Sequence, residues 1–158
     1  MFAMPWAGEE EFEPKFARLV SKIDNYRKLG HRVSLVGASA GASAVLNAYS
    51  IKRGEIQTVA YICGKINHPE TVSGQTYARN PAFKTSMLQL QGNLASFVDS
   101  DKRKLTSFYS PADTTVPYAD TVINDVLEQK LPSIGHAWAI VYCLSFGSRK
   151  LVRALNRN

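Results

Sequence analysis

A serine set between two glycines, in Gly37-Ala38-Ser39-Ala40-Gly41, constrains this chain more than any other feature. Val33 to Val36, just ahead of it, is a short β-rich run of the kind that makes a buried strand. Ala42 to Tyr49, just after it, reads as an alanine-rich helix. A strand that turns into a helix over so few residues leaves the central residue in a strained backbone conformation. Its neighbours at minus two and plus two are therefore expected to be nearly free of side chain. Gly37, Gly41 and the small Ala38 and Ala40 meet that demand. The Ser39 hydroxyl then projects beyond the strand at the positive end of a helix dipole, where developing negative charge is stabilised.

Two phosphate-loop readings compete for the same residues, and both fit poorly. A Walker-type loop needs Gly-Lys-Ser/Thr, but Gly41 is followed by Ala42 and Ser43. The dinucleotide fingerprint lacks its second glycine, because Ser39 occupies that place. A nucleotide at this turn is not expected.

The 158 residues, 45% of them hydrophobic, suffice for one domain with a sizeable core over residues 1–158. Cys63 and Cys143 each stand in apolar sequence, which suits buried thiols in a reducing, cytoplasmic setting rather than a disulfide framework. No stretch has the length and apolarity of a membrane span, and MFAMPWAGEE lacks the pattern of a secretory signal. The net charge of +6 raises the question of nucleic acid. The basic residues are scattered, in groups no longer than Lys102-Arg103-Lys104, with Arg149-Lys150 a further pair, so no nucleic-acid partner is expected.

In chain order, Met1 to Met4 is apolar enough for a first strand, stopped by Pro5. A helix from about Pro14 to Leu29 follows from the spacing of Phe16, Leu19, Val20, Ile23 and Tyr26, and Gly30 stops it. After the Ser39 unit, Thr58 to Cys63 is a continuous apolar run and predicts a strand covered on both faces. Residues 64–101 are irregular in their first half and helical in their second. They form an excursion between strands that could act as a lid. Lys104 to Tyr109 predicts a fourth strand, Tyr118 to Glu128 a helix and Gln129 to Pro132 a short last strand. Ala137 to Leu155 predicts a long helix loosened at Gly147. Strands alternating with helices predict a three-layer α/β fold, with a doubly wound, mostly parallel sheet of about five strands.

Asp113, just past the fourth strand, and His136, just past the last, change the weight of the serine. In an open parallel sheet the loops beyond the carboxyl ends of the strands gather along one edge. Ser39, Asp113 and His136 all fall in such loops. Each alone has a plainer explanation: an aspartate beside proline is commonly a turn former, and a lone histidine is commonly surface or core. His31 lies before the motif strand, at the wrong end of the sheet, and His68 lies in the excursion. Asp99, Asp101, Asp120 and Asp125 read as solvated; Asp99 or Asp101 takes the place of Asp113 if the fourth strand lies elsewhere. No His/Cys/carboxylate spacing repeats, so neither a metal nor a cofactor is expected.

From Arg32 onward the chain resembles the α/β-hydrolase superfamily. The order Ser, Asp, His and the tail of strand, aspartate, Val116-Pro117, helix, Gly135-His136, helix are similar to that family's. The resemblance implies a serine hydrolase of the esterase, lipase or thioesterase kind, with Ser39 as nucleophile, His136 as base and Asp113 orienting it. A small-molecule ester or other acyl compound is the implied substrate. The chain departs from the family ahead of the serine strand, where only about thirty residues precede it; it reads as a minimal member or a fragment. The Ala40 amide is one oxyanion donor by this resemblance. The second would come from Trp6, Ala7 or Gly8, since Pro5 has no N–H. A strand pairing beside Val33–Val36 would then leave an exposed sheet edge, covered by the helix ending at Leu29 or by a second subunit in a homodimer. The rival reading is a non-catalytic, hydrolase-like binding module with an incomplete oxyanion hole.

Overall fold

The computed structural model describes residues 2–157. Helix α1, Phe12–Lys28, ends where the pattern predicts. Gly30 takes a positive φ of 79° and its N–H reaches the carbonyl of Arg27, closing the last turn. β1, Val33–Ala38, leads through the serine turn into α2, Gly41–Ile51. β2, Ile56–Ile62, follows, and then come a 3-10 turn at Pro69–Thr71, α3 (Gly74–Arg79), α4 (Pro81–Leu94) and α5 (Asp99–Lys102). β3 is Leu105–Tyr109, α6 is Tyr118–Thr121 and β4 is Leu127–Lys130. The chain closes with α7, His136–Leu144, and α8, Ser148–Leu155.

The four strands are all parallel and lie in the order β1-β2-β3-β4. Right-handed crossovers between strands that follow one another in space place every connecting helix on the same face. α2 and α4 accordingly cover one face together with α1. Val59, Tyr61 and Leu105 point into that layer with Leu46, Tyr49 and Leu90. The alternate residues Ala60, Ile62 and Phe108 point the other way, against Ala139, Cys143, Leu151 and Ala154 of α7 and α8. This is why the β2 run carries no polar alternation: both of its faces are buried, as its apolar sequence predicted.

Four expectations need correction. The first strand is absent: Met1 lies outside the described residues, and 2–7 hold no regular structure, so the described sheet has four strands rather than five. The sheet is not doubly wound, because the strand order never reverses; its second helical layer comes from the chain's end instead. The helix from Tyr118 stops at Thr121, and the last strand starts at Leu127, not Gln129. Asp125 in between adopts φ 66°, a turn conformation that breaks a helix. Because β4 is a half-exposed edge strand, it lacks the apolar run that marks its neighbours. Finally, the C-terminal helix is not loosened but divided. Gly147 N–H bonds back to Tyr142 at 2.8 Å, and Ser145–Gly147 separates α7 from α8.

Candidate active site

The serine turn is built on one crowded glycine. A Cβ on Gly37 would stand 2.5 Å from the Gly41 carbonyl oxygen, 2.6 Å from Val45 Cγ2 and 2.8 Å from Ala42 Cα. The same construction on Gly41 meets only Trp6 Cβ, at 4.0 Å, an ordinary contact. The expectation of a side-chain-free position at plus two is therefore not met by necessity; only the minus-two glycine is sterically required. Ser39 itself adopts φ 50°, the left-handed conformation that L-residues rarely hold. Its N–H bonds to the Ile62 carbonyl at 3.0 Å, and its carbonyl accepts the Ala42 N–H at 3.1 Å. The strained residue is thus clamped between β2 and the first turn of α2.

Asp113 and His136 arrive from neighbouring loops that are stitched together. Ala112 forms a parallel bridge with Ile134, Gly135 N–H donates to the Ala112 carbonyl, and Ser110 Oγ donates to the Ser133 carbonyl at 2.6 Å. Gly135, at φ 79°, turns the chain so that His136 becomes the first residue of α7. The side chains then join in a line. His136 Nε2 lies 2.8 Å from Ser39 Oγ, and His136 Nδ1 lies 2.7 Å from Asp113 Oδ2.

Asp113 is 6% exposed and held from both oxygens, for Oδ1 accepts the Thr115 and Val116 amides at 2.9 Å each. Burial alone would raise its carboxyl. The Val116 N–H, the His136 imidazole and the Thr115 N–H outweigh that, and the net shift is downward. Asp113 stays an anion that can hold one imidazole tautomer and favour the imidazolium.

Cys63, at the end of β2, completes a cluster in which a sulfur, a carboxylate oxygen and a ring nitrogen lie within 4.8 Å of one another. The Cys63 thiol is pushed up to about 12, chiefly by burial and then by the Asp113 charge, so it is protonated. Two ligands on a zinc ion at about 2 Å each stand roughly 3.3 Å apart in tetrahedral geometry. His136 Nδ1 and Asp113 Oδ2, at 2.7 Å, are spaced for a shared proton and not for an ion.

The segment named for the second oxyanion donor lies beside the turn as irregular chain. Trp6 is buried with Phe12, Ala44 and Phe83, and Ala40 packs on the same cluster, as do Val72 and Tyr77 from the excursion. Lys15 Nζ fixes the segment by donating to the Trp6 and Ala7 carbonyls at 2.8 and 3.0 Å. The Gly8 N–H is already given to Asn80 Oδ1. The amides of Ala40, Trp6 and Ala7 have no acceptor among the described residues.

Other sequence expectations fall away from this place. His31 and His68 are exposed, and His68 faces Glu70. Asp99 and Asp125 are exposed as expected, but Asp101 and Asp120 are buried. Asp101 accepts from the Tyr49 hydroxyl at 2.9 Å and pairs with Arg53. Asp120 pairs with Lys65 at 2.7 Å. Buried Ser43, Asn47 and Ser86, with half-buried Asn93, form a polar chain that fastens α4 to α2. Its only trace in the sequence is polar residues at otherwise apolar helical positions.

No protein-family profile matches the chain, and no curated protein matches it by sequence. Its shape does have solved counterparts. Est1E from Butyrivibrio proteoclasticus matches 94% of this chain and 72% of its own, with TM-score 0.66 at 11% identity. A monoacylglycerol lipase from Paleococcus ferrophilus matches 98% and 81%, with TM-score 0.56 at 13% identity. A meta-cleavage product hydrolase from Pseudomonas fluorescens matches 98% and 75%, with TM-score 0.59 at 11% identity. At such identities the likeness is one of architecture, and it establishes that this chain has the α/β-hydrolase fold in a reduced form, ahead of any statement about its chemistry.

Proposed function

We propose that the protein is a serine hydrolase that cleaves an ester or related acyl bond of a small molecule through Ser39, His136 and Asp113. The observation that carries this is the continuous line from Ser39 Oγ through His136 to Asp113, at 2.8 and 2.7 Å. In this reading Ser39 Oγ attacks the acyl carbon while His136 Nε2 takes its proton, and Asp113 steadies the imidazolium. The tetrahedral oxyanion is received by the Ala40 N–H and by an amide of Trp6 or Ala7, none of which has an acceptor among the described residues. His136 returns the proton to the leaving alkoxide, and the C–O bond breaks. Water, deprotonated by the same imidazole, then splits the acyl–Ser39 ester, releasing the acid and restoring the serine hydroxyl. Residues 1–158 act as one domain here, with the Val72–Tyr77 part of the excursion beside the nucleophile as pocket cover.

A fluorophosphonate probe tests the proposal. Stoichiometric labelling is expected at Ser39 and none in Ser39→Ala. The variant's hydrolysis should fall to a residue on the order of 10³–10⁴-fold above water. No labelling of a folded wild-type chain would favour a non-catalytic binding module. The observation behind that second reading is that the Gly8 amide is already taken by Asn80.

A further inference from the structure

At the end of the sheet opposite Ser39 lies a cleft of about 520 Å³, below the N-terminal ends of β1 and β2. Strand β1 separates the two by six residues, roughly 20 Å. Arg27, Arg32, Arg103, Lys104 and Arg157 line the cleft, and Glu55 is the one acidic side chain among its described lining residues. Glu55 is engaged by Lys52 at 3.1 Å. None of the five cations has a carboxylate partner among the described residues, although Glu10, Asp24, Asp101, Asp120 and Asp125 each pair with a lysine or arginine elsewhere in the fold.

Three of the cations are held in place through backbone carbonyls, which leave the charge uncompensated. Arg27 donates to the His31 carbonyl at 3.0 Å, Lys104 to the Arg53 carbonyl at 3.2 Å, and Arg157 to the Arg103 carbonyl. The side chains of Arg32 and Arg103 have no partner among the described residues and are exposed. Gathering five cations around one concave space costs self-repulsion unless an anion sits among them. Guanidinium groups take carboxylate or phosphate oxygens two at a time, and five cations around one space match the several charges of a phosphate chain better than the one charge of a carboxylate. A cleft of this size falls in the range that holds small ligands.

We propose that this cleft binds a polyphosphate anion, either free or as the phosphate chain of a nucleotide. The site is independent of the Ser39 chemistry. Titration calorimetry of the full chain at low salt, with inorganic tripolyphosphate and separately with ATP, tests it. Saturable one-to-one binding of tripolyphosphate is expected, with a rise in thermal midpoint. The double variant Arg32→Gln/Arg103→Gln should weaken it at least about tenfold, as loss of charge-assisted phosphate bonds requires. Both side chains are exposed and their mutual repulsion is relieved, so that variant should keep fluorophosphonate labelling and a ligand-free thermal midpoint no lower than that of the wild type. Arg27→Gln is the second variant, should the double one fold poorly. ATP binding more tightly than tripolyphosphate would assign a nucleotide, and equal binding would assign the phosphate chain alone. No binding of either anion up to about 1 mM, or binding that the variants leave unchanged, would overturn the site.

Discussion

Adding one methyl group at Gly37 sets it against the Gly41 carbonyl oxygen and Ala42 Cα, both backbone atoms that no rotamer change can move. Gly37→Ala should therefore cost at least about 2 kcal/mol, the ordinary cost of overpacking a rigid site. Gly41→Ala, facing only Trp6 Cβ at contact distance, should be neutral or stabilising by up to about 1 kcal/mol, since alanine is the better helix former. Urea denaturation of the two variants reads the difference; equal losses would show that the turn tolerates no side chain at either place. The aspartate supports a prediction with a sign. Asp113 is lowered in the folded state, so its contribution to stability is present above the ordinary carboxylate range and is lost as pH falls through its lowered value. Asp113→Asn should remove that acid-side loss of stability and cut activity by about 10⁴-fold. A variant whose stability still falls with the wild-type steepness in acid would refute the first half. The convergence of Ser39, Asp113 and His136 was readable in the sequence because each follows a strand by a few residues. The clamp on Asp113 from the Thr115 and Val116 amides was not, because loop amides leave no mark in residue type.

Elements that bury an apolar face announced themselves; those that depend on neighbours did not. α1 was legible from periodicity and β2 from its unbroken apolar run, whereas β4, Leu127–Lys130, was placed two residues late, because a half-exposed edge strand takes its bounds from the partner it pairs with. The same limit hid the tie between the loop after β2 and α6. Lys65 and Asp120 are 7% and 9% exposed in their side chains, 2.7 Å apart, and Lys65 Nζ also donates to Thr71 Oγ1 at 2.6 Å. The Asp120 carbonyl accepts the amides of Ile66 and Asn67. A pairwise reading of sequence treats both residues as surface charges, since burial of a charge is decided by a partner 55 positions away. Lys65→Met keeps the stem but strands the carboxylate, and should cost about 3–5 kcal/mol. The double variant Lys65→Met/Asp120→Leu should recover most of that loss in thermal unfolding. Failure to recover would show that the two loops are held by the backbone bonds rather than by the ion pair.

For the molecule as a whole, the sequence concealed where its charge collects and where its sheet ends. Arg27, Arg32, Arg103, Lys104 and Arg157 come from both halves of the chain, so the short run Lys102-Arg103-Lys104 marked only part of the cleft that they share. The sheet ends at β1, which pairs with β2 alone among the described residues. α1 lies over the helical face with Phe16, Leu19 and Ile23 and adds no strand beside it. β1 reads VSLVGA, with no charge and no proline to discourage a further strand, and Val36 is 38% exposed. Unpaired backbone groups on such an edge favour pairing with an identical edge, since a two-fold axis satisfies both at once. We therefore expect a homodimer through β1, carrying the sheet across the axis. Light scattering behind size exclusion should give twice the 17.5 kDa chain mass at micromolar concentration. Val36→Lys places like charges near the axis, and should return the protein to a monomer that Ser39-directed fluorophosphonate still labels. A wild-type monomer at every concentration tested would exclude this edge as an interface. A dimer that survives Val36→Lys would move the contact to another surface.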